Sequence, residues 1–241
     1  MIFSEQHSYF ILNLLCASFV VTILTTFIYR SIAKRIGILA QPNFRSLHKK
    51  PIPSGGGIVI SFVYISSTIC FVFLEDISSD ILFKVAIGGL AASILGLMDD
   101  VIEVRTTTKL LVQIMLSVWI LFIFSESLQS TFDVIAGKFY WPFIVISVFF
   151  LVWFSNVFNF MDGIDGMLTS ESMLITFSAA LIILFVHGGG ENTVLLFLLG
   201  IVCLGFLLFN FPPASIFIGN AGSMFLGYLV SCIIFKTIID N

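Results

Sequence analysis

In Asn156-x-x-Asn159-x-x-Asp162-Gly163-Ile164-Asp165-Gly166, two amides and two carboxylates recur at three-residue intervals where an apolar run ends. That interval places Asn156 and Asn159 on one helix face, and two glycines loosen the backbone where Asp162 and Asp165 continue the series. Polar groups collected at the mouth of an apolar segment suit a polar ligand held at a membrane surface. Three other segments carry comparable chemistry. Asp99 and Asp100 are adjacent carboxylates, followed by Glu103 and, ten residues after Asp99, by Lys109. Such a pair either ends a helix in water or helps hold Mg²⁺, a hard cation commonly bound by one or two carboxylates plus substrate phosphates. Lys109 either reaches a phosphate or snorkels at a helix start.

Pro51-Ile52-Pro53-Ser54-Gly55-Gly56-Gly57 reads as a helix-entry turn or as backbone that lets a neighbour or ligand come close. His48, Lys49 and Lys50 before it are either topology signals or phosphate contacts. In Asn210 to Ser223, Pro212, Pro213, Gly219 and Gly222 forbid a continuous helix, leaving a plain loop or a set of backbone amides able to cradle an anion where the next helix begins.

The elements that must position these groups are membrane spans. The chain has 241 residues, 59% of them hydrophobic, a mean hydropathy of +1.12 and only 10% charged residues, against roughly 25% in soluble domains. A span needs about 20 mostly apolar residues. Eight segments qualify: Tyr9 to Tyr29, Gly57 to Leu74, Ile81 to Met98, Leu110 to Phe124, Phe143 to Phe160, Met167 to Val186, Val194 to Phe211 and Met224 to Ile239. The expected fold is all-α, a polytopic membrane helix bundle of about eight transmembrane helices forming one domain over residues 1–241. The segment Glu126 to Pro142 is expected to form a hairpin, from its alternation around Gly137-Lys138.

Of the eleven Lys and Arg residues, Arg30, Lys34, Arg35, Arg45, Lys49, Lys50, Arg105 and Lys109 fall in the segments after spans one and three, which the positive-inside bias makes cytoplasmic. Alternation then puts every polar cluster described above on that face and both termini outside. Glu171, near the inner end of span six, is expected to face the bundle or the inner cavity, because a carboxylate against lipid is costly. Net charge is −3 without a basic stripe, so a nucleic-acid partner has no support. Cys16, Cys70, Cys203 and Cys232 lie in apolar runs and lack metal-ligand spacing. A transporter using Asp162 and Asp165 as coupling carboxylates would place them in mid-membrane broken helices, not at span ends on one side.

Taken together, Arg45-Ser46-Leu47-His48 through Gly57, Gly96-Leu97-Met98-Asp99-Asp100, the Asn156 to Gly166 series, and Asn210-Phe211-Pro212-Pro213-Ala214 through Ser223 resemble the polyprenyl-phosphate N-acetylhexosamine-1-phosphate transferases, closest to the branch that starts O-antigen and related glycans. The resemblance implies transfer of a sugar 1-phosphate from a UDP-sugar to undecaprenyl phosphate with release of UMP, Mg²⁺ (or Mn²⁺) as cofactor, and a bacterial inner-membrane location; a homodimer is compatible with it. It implies Asp99 and Asp100 as the catalytic pair beside lipid phosphate and metal, with Lys109 as a phosphate contact. His48, Asn156, Asn159, Asp162, Asp165, Asn210 and Phe217 are implied for substrate binding, Phe217 against uracil. Asn220 falls where the family has an Asp metal ligand, and Ser54 where the O-antigen branch commonly has Arg. The family has about ten spans and a His-rich fifth inner loop, and this chain stops at Asn241 after eight, so the C-terminal part of the family domain is expected to be missing. The alternative is a catalytically impaired relative that binds substrate or a partner.

Overall fold

The computed structural model describes residues 5–42, 50–74, 80–134 and 140–240. Among them the chain runs α1 (Glu5–Ile36), β1 (Leu39–Ala40), β2 (Ile52–Pro53), α2 (Gly57–Leu74), α3 (Asp80–Ile102), α4 (Thr106–Ile123), α5 (Ser125–Val134), α6 (Tyr140–Met161), α7 (Met167–His187), α8 (Glu191–Asn210) and α9 (Gly219–Asp240). Seven helices, α1 to α4 and α6 to α8, are long and apolar enough to cross a membrane. Their outward faces present rings and aliphatic chains such as Phe62, Phe122, Phe149 and Phe185. In lipid that is the favourable arrangement, since the backbone is satisfied within each helix and apolar side chains face hydrocarbon. The protein is an all-α, multi-pass membrane protein.

The eighth expected span is α9, and it is the centre of the bundle. Phe225, Leu226, Tyr228, Leu229, Val230 and Phe235 are all buried, and α9 packs against α3, α6, α2, α7 and α5. Its closest partner is α3, whose Gly88, Ala92 and Gly96 recur every four residues and form a small-residue stripe. Without Cβ atoms at Gly88 and Gly89 the rings of Tyr228 and Phe225 lie against the α3 backbone, and Gly96 admits the backbone of Asn220 and Ala221. Close backbone approach of this kind replaces the hydrophobic drive that lipid cannot supply. Hydroxyl pairs tie the neighbouring helices: Ser18 Oγ to Ser67 Oγ at 2.8 Å across α1 and α2, and Ser61 Oγ to Ser93 Oγ at 2.7 Å across α2 and α3.

One expectation is corrected. Ser125–Val134 is helical (α5), not the first strand of a hairpin. Leu128, 1% exposed, anchors that helix in the core beside Phe124, and a single buried anchor one turn on outweighs an alternation only a few residues long. Residues 135–139 lie outside the described residues. Glu171, expected to face the bundle or the inner cavity, is exposed near the site end of α7.

Candidate active site

The four polar segments meet at one end of the bundle, where α1, α3, α6 and α8 finish and α2, α4, α7 and α9 begin. Phe217 N–H donates to Pro53 O at 2.8 Å, Gly56 N–H to Phe217 O at 3.0 Å and Gly57 N–H to Ile218 O at 2.7 Å. The Pro51 to Gly57 turn is thus laced to the segment before α9. The antiparallel pair Leu39↔Pro53 and Ala40↔Ile52 holds it from the other side, and Tyr29 Oη donates to Ser54 O at 3.1 Å. His48 lies outside the described residues.

Consecutive residues on a helix point about 100° apart, so Asp99 and Asp100 diverge. Asp99 is buried and turns toward α4: its Oδ2 meets Lys109 Nζ at 2.9 Å and its Oδ1 accepts Val104 N–H at 2.8 Å. The turn that delivers Val104 runs through Glu103 at φ 49°, in the left-handed region, which closes α3. Asp100 turns the other way, toward α9. Its Oδ1 accepts Asn220 N–H at 2.9 Å and its Oδ2 accepts Ala221 N–H at 3.1 Å. Gly219, at φ 70°, opens α9, and a Cβ there would stand 2.6 Å from Asp100 Oδ2.

Asp162, immediately after α6, stands near the Gly219 N–H where α9 begins, close enough to Asp100 for the two carboxylates to repel. The carboxyl of Asp162 is pushed well above the usual carboxylate range, chiefly by burial in this corner and further by repulsion from Asp100, with the Gly219 N–H opposing both. The amides at the start of the last helix do cradle an anion, and in this structure the anion is the protein's own carboxylate, stabilised by unpaired N–H groups and the helix dipole.

The other expected residues are placed as follows. Asp165 Oδ2 accepts Ala214 N–H at 2.9 Å and pins the Pro212-Pro213 loop. Asn210 is 4% exposed with both ends engaged: Oδ1 accepts from Thr169 Oγ1 at 2.8 Å and Nδ2 donates to Ile216 O at 3.0 Å. Asn156 is paired with Gln113, whereas Asn159 and Phe217 are half-buried at the site end. Gln113, Tyr29 and Thr169 are polar residues that sequence reasoning passed over. Gln113 is an isolated polar position in an apolar helix, and that isolation is the signal that could have found it; Tyr29 and Thr169 sit among other polar residues at helix ends and carried no such signal.

Asp100, Asp162 and the Asn220 side chain, which lies beside Asp100, offer hard oxygen donors around two mutually repelling carboxylates, a set that fits Mg²⁺. Asp99 stands apart on Lys109. No three His, Cys, Asp or Glu side chains among the described residues form a closed ligand set, so water and substrate phosphate would complete an ion's shell, as Mg²⁺ usually allows.

A helical membrane bundle that gathers carboxylates, a lysine and a helix N-terminus at one rim has the architecture of an enzyme working on anionic substrates at a lipid boundary. The chain belongs to glycosyl transferase family 4, whose profile matches residues 82–238. It is 29% identical over 225 residues to a probable undecaprenyl-phosphate N-acetylglucosaminyl 1-phosphate transferase of Bacillus subtilis, covering 89% of this chain and 60% of that protein. It is 28% identical over 242 residues to the phospho-N-acetylmuramoyl-pentapeptide-transferase of Listeria monocytogenes, covering 93% and 74%. An Escherichia coli undecaprenyl-phosphate alpha-N-acetylglucosaminyl 1-phosphate transferase is 29% identical over 236 residues, covering 92% and 61%. The chain thus spans about three fifths to three quarters of these relatives' lengths.

Proposed function

We propose that the protein transfers an N-acetylhexosamine 1-phosphate from a UDP-sugar to undecaprenyl phosphate, releasing UMP and initiating a cell-envelope glycan at the cytoplasmic face of a bacterial inner membrane. The observation that supports this reading is that Asp100 and Asp162 sit at the start of α9 while the Asp99–Lys109 pair stands at the same end of the bundle, in a chain whose relatives are named as undecaprenyl-phosphate N-acetylglucosaminyl 1-phosphate transferases. In the reaction a lipid-phosphate oxygen bonds to the sugar-bearing phosphorus and the bridging bond to the UMP phosphate breaks. The obstacle is repulsion between two anions, so positioning and charge neutralisation supply most of the acceleration.

Lys109, about one quarter exposed, is held by Asp99 at the rim and offers its remaining N–H donors to a phosphate. Asp99 acts by aiming that ammonium. Asn159 hydrogen-bonds the nucleotide and Phe217 stacks on uracil. Asp100, Asp162 and Asn220 would hold the divalent cation, which when bound supplies positive charge against the diphosphate.

A second reading, a binding protein without turnover, is favoured by Asn220, a neutral ligand in place of a carboxylate. The test is UMP release by the purified protein in lipid nanodiscs with a UDP-N-acetylhexosamine, undecaprenyl phosphate and Mg²⁺. Release that requires both substrates and falls by orders of magnitude in Asp99→Asn, Asp100→Asn and Lys109→Met supports the transferase. Saturable UDP-sugar binding with no UMP release establishes the second reading. Orientation is tested separately, because Arg30, Lys34, Arg35, Lys50, Arg105 and Lys109 lie in the segments at the site end. Single cysteines at Ser46, Thr107 and Ser215, in a background lacking the native ones, should be shielded from an impermeant thiol reagent outside intact cells, and one at Ser130 should react.

A further inference from the structure

α4 carries two polar side chains one turn apart on the same face. Lys109 reaches α3 at Asp99. Gln113, four residues on and only 6% exposed, reaches α6. There it forms a reciprocal amide pair: Asn156 Nδ2 donates to Gln113 Oε1 at 2.9 Å, and Gln113 Nε2 donates to Asn156 Oδ1 at 3.3 Å. A third bond, from Asn156 Nδ2 to Val152 O at 2.8 Å, fixes the Asn156 rotamer. Behind Gln113 a small cavity between α4, α6 and α9 is lined by Ser117, Ser155, Tyr228 and Ser231, so polar groups reach deep into the bundle along this seam.

We propose that Gln113 is a positioning residue: through Asn156 it locks the register of α6 against α4, and thereby places Asp162, six residues after Asn156, relative to Lys109. An apolar seam between two lipid-embedded helices tolerates sliding and rotation, because lipid solvates either register equally well. A two-bond amide pair does not. A slip of one turn, about 5.4 Å, breaks both bonds and leaves the buried Gln113 amide unpaired. Asn156 lies about 9 Å along the α6 axis from Asp162, at 1.5 Å per residue, with continuous helix to Met161, so any shift at the pair is delivered to Asp162 nearly undiminished. The Asp99–Lys109 contact fixes α4 to α3 in the same way, and α4 becomes the bar that spaces the two carboxylate groups. This inference rests on the transferase reading for its kinetic consequence and on the amide geometry alone for its structural one.

The test compares Gln113→Leu, Asn156→Leu, the Gln113→Leu/Asn156→Leu double variant, and the exchanged pair Gln113→Asn/Asn156→Gln, which retains complementary amides. The single variants should lower kcat about 10- to 100-fold, the scale of an ångström-sized misplacement, with KM for the UDP-sugar within about twofold. The double apolar variant should regain thermal stability without regaining kcat, and the exchanged pair should recover most of it. In parallel, nitroxides at Leu111 on α4 and Phe160 on α6, both exposed, should show dipolar broadening that changes in Gln113→Leu and returns in the exchanged pair. Wild-type kcat in the double apolar variant, or a raised KM with unchanged kcat in Asn156→Leu, overturns the proposal. If the wild-type protein releases no UMP, the transferase reading fails by itself, and the spin-label distances still decide the register lock: unchanged broadening in Gln113→Leu refutes it.

Discussion

Asp100 caps α9 across 120 residues of sequence, its Oδ1 taking the Asn220 N–H at 2.9 Å while Oδ2 takes the N–H of Ala221. A carboxylate expected to face substrate therefore also closes the first turn of the central helix. One side chain serves both the scaffold and the site, and its variants should separate the two roles.

Asp100→Asn keeps an acceptor for one amide, whereas Asp100→Ala leaves two N–H groups of α9 without a partner. Loss of a cap costs about 1 kcal/mol. Asp100→Ala should therefore melt measurably below Asp100→Asn in detergent, while both lose UMP release by orders of magnitude. Equal melting temperatures for the two would mean that the cap is not maintained in solution.

Gly57 lies backbone to backbone against Gly222, so close that a Cβ would fall inside the Gly222 main chain. No side chain is available to move aside. Gly57→Ala should destabilise the protein by about 2–4 kcal/mol, at the upper end for overpacking, by forcing α2 off α9 and breaking the Gly57–Ile218 hydrogen bond. Gly188→Ala should cost far less, because its Cβ would meet nothing within 4 Å and only the φ of 75° resists it. A thermal-shift comparison of the two variants decides.

Asp162 has its carboxyl pushed above the usual range by burial and by Asp100, so the folded state holds this proton more tightly than the unfolded one. Under the linkage relation the stability from Asp162 is full below the ordinary carboxylate pKa and is lost as pH rises through the raised folded value. In metal-free protein the melting temperature should fall as pH climbs out of the acidic range, and Asp162→Asn should flatten that decline. Mg²⁺ should flatten it too, by favouring the ionised form. A decline equally steep in Asp162→Asn would assign it to another group.

Asn220 supplies an amide where a third carboxylate would complete the acidic set around the α9 turn. Mg²⁺ prefers carboxylate oxygens. Asn220→Asp should lower the Mg²⁺ concentration for half-maximal UMP release, read by titrating Mg²⁺ against release for both proteins. An unchanged or higher requirement would place Asn220 away from the metal.

Element type was legible because apolar runs of span length have one stable answer in lipid, and charge bias with alternation correctly brought Asp99, Asp162, Asn210 and the Gly55 turn to one end. Partners were not legible. Asn210 and Asp165 were expected to bind substrate as Asn159 was, yet their side chains are spent on Thr169, Ile216 and Ala214, because which way a side chain turns depends on elements tens of residues away. Gln113 carried no motif at all. By itself the sequence determined the helical membrane class and the rim where its polar groups collect, since these follow from composition, periodicity and charge bias, while the family entered through the resemblance of its four motifs. Only the tertiary structure decided that the last helix is the buried axis and that the adjacent carboxylates part, Asp99 to Lys109 and Asp100 to the start of α9. Those outcomes depend on glycine-permitted backbone approach between α2, α3 and α9, a packing fact that no single segment contains.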